Sequence, residues 1–154
     1  MRRVLTSLVG AVVLATAGIG PVAAVEPVAI NITAASLVAN GAGVQVSYEV
    51  VCQPLVGMDA QPVTALTIDY GTVNVDQAVS KKFIAHGGDN SYKGGATLAC
   101  DGETVNAVTG LVLAEAVPFK KGPAIIRVHL SLADYVSWAG SEFGDAQVTM
   151  NITR

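Results

Sequence analysis

Two histidines, His86 and His129, are the side chains best suited to proton transfer or metal ligation in this sequence, and they stand 43 positions apart. Neither lies inside a recognisable catalytic or metal-ligand spacing. His129 falls on the polar side of an alternating segment, where a metal role would require Asp134 or Asp145 to approach; an exposed strand histidine is the expectation. Trp138-Ala139-Gly140-Ser141-Glu142-Phe143-Gly144 has the outline of a nucleophile elbow, but glycine directly precedes the serine and no strand-to-helix context surrounds it. Gly87-Gly88-Asp89-Asn90-Ser91-Tyr92-Lys93-Gly94-Gly95 has neither phosphate-loop spacing nor the alternating oxygen ligands of a calcium loop, and reads as a flexible hairpin loop. Cys52 and Cys100 do not form a Cys-x-x-Cys pair, so their expected role is structural rather than redox. This inventory predicts no catalysis, no cofactor and no metal site.

The cysteines acquire meaning from the N-terminus. Met1-Arg2-Arg3 runs into an uncharged apolar stretch from Val4 to Gly18, and Val22-Ala23-Ala24 offers a small-residue cleavage site, the pattern of a secretory signal peptide over residues 1–24. The stretch is shorter than the roughly 20 residues a spanning helix needs. No lipid-attachment cysteine follows it, and Met150-Asn151-Ile152-Thr153-Arg154 is no hydrophobic tail. The expectation is therefore a secreted, extracellular protein without a membrane anchor after cleavage, in which two thiols pair as one disulfide. That bridge would close a loop of about 49 residues and stabilise the fold by about 4 kcal/mol in the chain-entropy model.

Residues 25–154 are enough for one domain with a core of its own. They carry 7 basic against 12 acidic residues, net −5 with histidine neutral, which argues against nucleic acid as a partner. Asn31-Ile32-Thr33 and Asn151-Ile152-Thr153 match glycosylation acceptors but lie in predicted strands behind a bacterial-looking leader, and they are given no weight.

The elements that must position these residues are strands. Valine fills 19 of the positions after residue 24, and Cβ branching suits a pleated sheet. Val44, Val46, Tyr48, Val50 and Cys52 alternate with polar neighbours, as do Ile126, Val128, Leu130 and Leu132, and Ala146, Val148, Met150 and Ile152. Ile30 and Ile32 alternate before Asn40-Gly41-Ala42-Gly43, predicting a first hairpin. Leu66, Ile68 and Tyr70 share one face ahead of Gly71, where the phase changes and a bulge or turn is expected. Leu98 and Cys100 end what reads as a second central strand, and a further strand spans 105–113. Seven to nine short antiparallel strands divided by glycine and proline predict an all-β sandwich, with a closed barrel as the alternative.

Val46-Ser47-Tyr48-Glu49-Val50-Val51-Cys52, Ala96-Thr97-Leu98-Ala99-Cys100-Asp101-Gly102 and Gly122-Pro123-Ala124-Ile125-Ile126-Arg127-Val128 resemble the immunoglobulin-like sandwiches of small secreted actinobacterial proteins. The resemblance implies one immunoglobulin-like domain over residues 25–154 and brings no activity with it. It departs from the antibody type in having no tryptophan between the cysteines and Leu98 where a corner tyrosine would stand.

Lys81-Lys82 and Lys120-Lys121 read as guards of turns and edges rather than a site for an acidic partner. The segment 134–145 joins two strong strands and carries Tyr135, Trp138 and Phe143. Either these rings engage a partner or they plug one end of a valine-rich core, the favoured expectation, and their solvent exposure discriminates. The function expected is a secreted, non-catalytic binding or interaction module for a protein or a glycan, of open oligomeric state. An extracellular enzyme inhibitor or small hydrolase, with a histidine beside a carboxylate in a cleft, is one alternative; a self-associating structural component of the envelope is another.

Overall fold

The computed structural model describes residues 26–89 and 95–154; the predicted signal peptide and the centre of the glycine-rich loop, residues 90–94, lie outside them. Alternation becomes ten strands: β1 (Val28–Val38), β2 (Gly43–Cys52), β3 (Leu55–Val56), β4 (Pro62–Val63), β5 (Ala65–Ala78), β6 (Ile84–Asp89), β7 (Thr97–Ala99), β8 (Asn106–Leu113), β9 (Gly122–Asp134) and β10 (Gly140–Ile152). The count exceeds the expected seven to nine because β3, β4 and β7 are two or three residues long, too short to show a period.

One main sheet has the order β1-β2-β8; the other runs β10-β9-β5-β6, with β7 pairing the start of β5, and β3 and β4 form a separate two-stranded hairpin. All ladders are antiparallel. The inner faces meet in one core. Val44, Val46, Tyr48, Val50 and Cys52 of β2 oppose Ile126, Val128, Leu130 and Leu132 of β9, and all are buried, so the faces read from alternation hold for both strands. Burial pushes the Tyr48 phenol up to about 12, with the charge of Asp89 adding to it. Cys100 follows a short piece paired to β5 alone rather than ending a central strand, and the Cys52–Cys100 disulfide ties the two sheets together.

Both edges of the sandwich are partly closed. On one side the end of β1 lies parallel to the end of β10, with Leu37 N–H donating to the Thr153 carbonyl at 3.0 Å and Thr153 N–H to Ala35 at 2.9 Å. On the other, Gly87 of β6 bridges to Ala114 just beyond β8, and Glu115 N–H donates to the His86 carbonyl at 3.0 Å. A Cβ at Gly87 would sit 2.2 Å from the Leu113 carbonyl oxygen, so this seam depends on glycine. The result is intermediate between open sandwich and barrel, and it leaves fewer free strand edges.

The turn after β1 takes left-handed backbone at Ala39, Asn40 and Gly41, as the asparagine and glycine predicted. Gly41 accepts the Phe119 N–H at 2.9 Å, and a Cβ there would collide with the Phe119 carbonyl. Phe119 is buried and fills this end of the core. Beside it the buried Gln77 amide donates to the Lys120 carbonyl at 2.7 Å and accepts the Lys120 N–H at 2.7 Å. Lys81, Lys82, Lys120 and Lys121 are all exposed in turns near this end.

Candidate binding surface

At the opposite end, β9 and β10 are joined by residues 135–139, and Asp134 organises that connection. Its carboxylate accepts the N–H groups of Val136 at 2.9 Å, Ser137 at 2.9 Å and Ala139 at 3.2 Å, together with the Ser137 hydroxyl. An aspartate suits this work because its short side chain reaches backbone donors two to five residues ahead. The Ser137 hydroxyl foremost, then the Val136 N–H and the other amides, hold the Asp134 carboxyl down at about 2. With the carboxylate turned inward, the apolar side chains point out: Tyr135 is 53% exposed, Val136 91% and Trp138 73%. Trp138 has φ +56° and Gly140 φ +106°. A left-handed tryptophan is strained backbone, held in place by the bonds around it.

The expectation that Tyr135, Trp138 and Phe143 plug the core is therefore overturned. All three are exposed, and the buried rings that supply bulk are Tyr48 and Phe119. Phe143 belongs to β10 rather than to the loop, three residues past Gly140. The exposed Val56 and Met58, on and just after β3, add apolar surface at the loop's end of the molecule, where the loop and the β3–β4 hairpin line a shallow cavity of about 380 Å³.

Tyr70 contradicts the simple alternation. Thr67 and Ile68 pair with Ala133 and Leu132, Tyr70 pairs with Ser131, and Asp69 is the extra residue of a β-bulge. The bulge turns Tyr70 outward while Leu66 and Ile68 stay buried, and it sets Gly71, Val73 and Val75 on the inner face. Asp69 itself accepts the Tyr135 hydroxyl, joining the bulge to the loop.

Tyr70, His129 and Phe143 consequently stand on the outer face of three adjacent strands. The His129 ring centre is 6.2 Å from Tyr70, edge-on, and 6.1 Å from Phe143, near parallel. His129 Nδ1 lies 2.7 Å from Asp145 Oδ1. The approach of a carboxylate that a functional role would need has occurred, through Asp145 and not Asp134. Next to this row is a groove of about 360 Å³ lined by Thr72, Asn74, Arg127, His129, Asp145 and Gln147.

A second polar cluster continues across the same face. Asp76 contacts His86 Nδ1 at 2.6 Å and accepts from Arg127 Nη1 at 2.6 Å, while Arg127 Nε donates to Gln147 at 2.7 Å and Glu115 lies 3.7 Å from His86 Nε2. Burial pulls the Asp76 carboxyl upward, but the hydrogen bonds from His86 and Arg127 outweigh it and leave the group below the usual carboxylate range. The hydrogen bond to Asp76 raises His86. Both histidines thus sit beside carboxylates, yet on an open sheet, and no hydroxyl or thiol is hydrogen-bonded to either ring among the described residues. Nor do three His, Cys, Asp or Glu side chains converge as metal ligands among those residues.

Sequence reasoning missed Asp69, Tyr70, Asp76 and Arg127, whose grouping needs the bulge and the cross-strand register. Compared with known proteins, the chain matches no family model and no curated protein.

Proposed function

We propose that this protein is an exported, non-catalytic binding module of immunoglobulin-like architecture that engages a protein partner through the loop 135–139. The observation that carries the reading is the exposure of Tyr135, Val136 and Trp138 on a backbone held by four hydrogen bonds to Asp134. An immobilised loop presenting a tryptophan loses little further entropy on binding, and tryptophan and tyrosine are the side chains on which interface energy concentrates. The strained backbone at Trp138 favours a functional role for the loop. Export is supported by the leader-like N-terminus and by the disulfide, which suits an oxidising compartment. No helix of the described residues is long and apolar enough to cross a membrane. The order β1-β2-β8 opposite β10-β9-β5 follows the A-B-E and G-F-C arrangement of immunoglobulin-like sandwiches. The bridge departs from that type, joining β2 to the end of β7 rather than to β9.

The test is capture of a partner from native extracellular fluid by oxidised residues 25–154, with wild type and Trp138→Ala compared side by side. A partner held by the wild type and lost by the variant, with unchanged circular dichroism, is the expected result. Equal capture by both refutes the loop as the binding surface.

A further inference from the structure

Beyond the loop, we infer that the outer face of the five-stranded sheet carries a binding site for a neutral pyranose unit of a glycan, formed by Tyr70, His129 and Phe143 with the groove beside them. The site extends the binding-module reading and lies on β5, β9 and β10, apart from the loop 135–139.

The first support is the bulge. Uninterrupted alternation from Leu66 and Ile68 would bury Tyr70; one extra residue, Asp69, places the ring in solvent at 41% exposure. Bulges gather beside sites where a side chain must be re-aimed, and this one brings Tyr70 to 6.2 Å from His129, which is 6.1 Å from Phe143. Three rings on β5, β9 and β10 make a continuous aromatic row about 10 Å wide at the usual strand spacing. The rings offer apolar surface, with polar tips on Tyr70 and His129, which suits the C–H face of a sugar.

The second support is the groove. Its volume of about 360 Å³ falls in the lower range of ligand sites. Its lining supplies a hydroxyl from Thr72, amides from Asn74 and Gln147, and the Asp145 carboxylate, the mixed donors and acceptors that sugar hydroxyls require. These groups are oriented by one another, Arg127 through Gln147 at 2.7 Å and His129 through Asp145 at 2.7 Å.

The third support is charge. The permanent cation of the face, Arg127, is engaged by Asp76 at 2.6 Å, and Asp76 and Asp145 together outnumber it. Among the described residues no unengaged arginine or lysine stands on these strands to hold a phosphate, a sulfate or a uronic acid, which selects a neutral ligand.

The experiment titrates isotope-labelled, oxidised residues 25–154 with cellohexaose, chitohexaose, maltohexaose and mannohexaose, and with oligogalacturonate as the acidic control, following amide shifts. At least one neutral oligosaccharide is expected to give saturable shifts centred on Thr72, Asn74, His129 and Asp145. Tyr70→Ala should weaken it by about three- to tenfold, and Asn74→Ala should weaken it as well. Trp138→Ala should leave it unchanged. The inference is overturned by the absence of saturable shifts from all four up to roughly 10 mM, by equal affinity in Tyr70→Ala, or by tighter binding of the acidic control. Partner capture through Trp138 without any sugar response removes this site and leaves the loop reading standing.

Discussion

Asp101 and Asp134 leave the same end of the molecule, from strands that flank the start of β5 on its two sides, with Ala99 paired to Ala65 and Ala133 paired to Thr67. Asp101 accepts the N–H groups of Glu103 at 2.9 Å and Thr104 at 2.6 Å and the Thr104 hydroxyl at 2.6 Å; Asp134 does the same for Val136, Ser137 and the Ser137 hydroxyl. Both carboxyls are held at about 2, each chiefly by the hydroxyl three residues on. What the turns carry differs. The Asp101 turn bears polar residues and is tied back to the core, through Gly102 N–H to the Cys52 carbonyl at 3.0 Å and through the neighbouring disulfide. The Asp134 turn bears Tyr135, Val136 and Trp138 into solvent. One local device thus serves closure in one place and display in the other, and the side chains between the cap residues decide which.

The largest effect that separates the two turns comes from the disulfide. Replacing Cys52 and Cys100 by alanine should lower stability by about 4 kcal/mol in urea unfolding, with hydrogen exchange rising first around Asp101 and not around Asp134. Asn106→Ala is next. Asn106 pairs with both backbone groups of Ala99, at 2.9 Å each, and bonds to the Val50 carbonyl at 3.2 Å, so its loss should cost about 1–2 kcal/mol. A carboxyl-detected titration sharpens the likeness of the turns. Asp101 and Asp134 should both titrate near 2 rather than at the ordinary 3.8, so their stabilisation is complete above about 4 and disappears as pH falls through about 2. In Asp134→Ala the amides of Val136, Ser137 and Ala139 should lose protection while those of Glu103 and Thr104 keep theirs. Trp138→Ala should change stability by less than about 0.5 kcal/mol, because the side chain is largely exposed. A Trp138→Ala protein that unfolds at markedly lower urea would show that the ring is a structural plug after all. The smallest effect is on the β5–β6 ladder: His86 is raised by Asp76, so its contribution is whole below about 6.5 and is lost as pH climbs through the higher folded value.

Strand faces were legible wherever period two ran unbroken, as in β2, β9 and β10, because a half-buried strand must put its apolar residues on one side. The turn at Asn40-Gly41 was legible from its tolerance of left-handed backbone. The bulge near Gly71 was legible from the change of phase between Ile68 and Val73, but its position was not: the inserted residue is Asp69, ahead of Tyr70, so the ring that alternation placed with Leu66 and Ile68 faces solvent instead. Nor was the identity of the core's large rings: Phe119 follows Pro118 outside any alternating run, while Trp138 looked bulky enough to fill space. The Asp-x-x-Ser spacing at 134–137 and Asp-x-x-Thr at 101–104 were readable signals of organised turns, since capping acts within a few residues. The Asp76, Arg127 and His86 cluster depends on three strands meeting in register and left no local trace.

The parallel contact between the ends of β1 and β10 also sets a direction. Ser36 meets Thr153 at one end of the molecule, while Gly140 opens β10 beside the Trp138 loop at the other. Thirteen residues of extended chain separate Gly140 from Ile152, roughly 40 Å at the rise of a strand. A tether attached at Arg154 would therefore hold the molecule upright with its tryptophan at the far tip, which is the orientation to choose for a sensor chip.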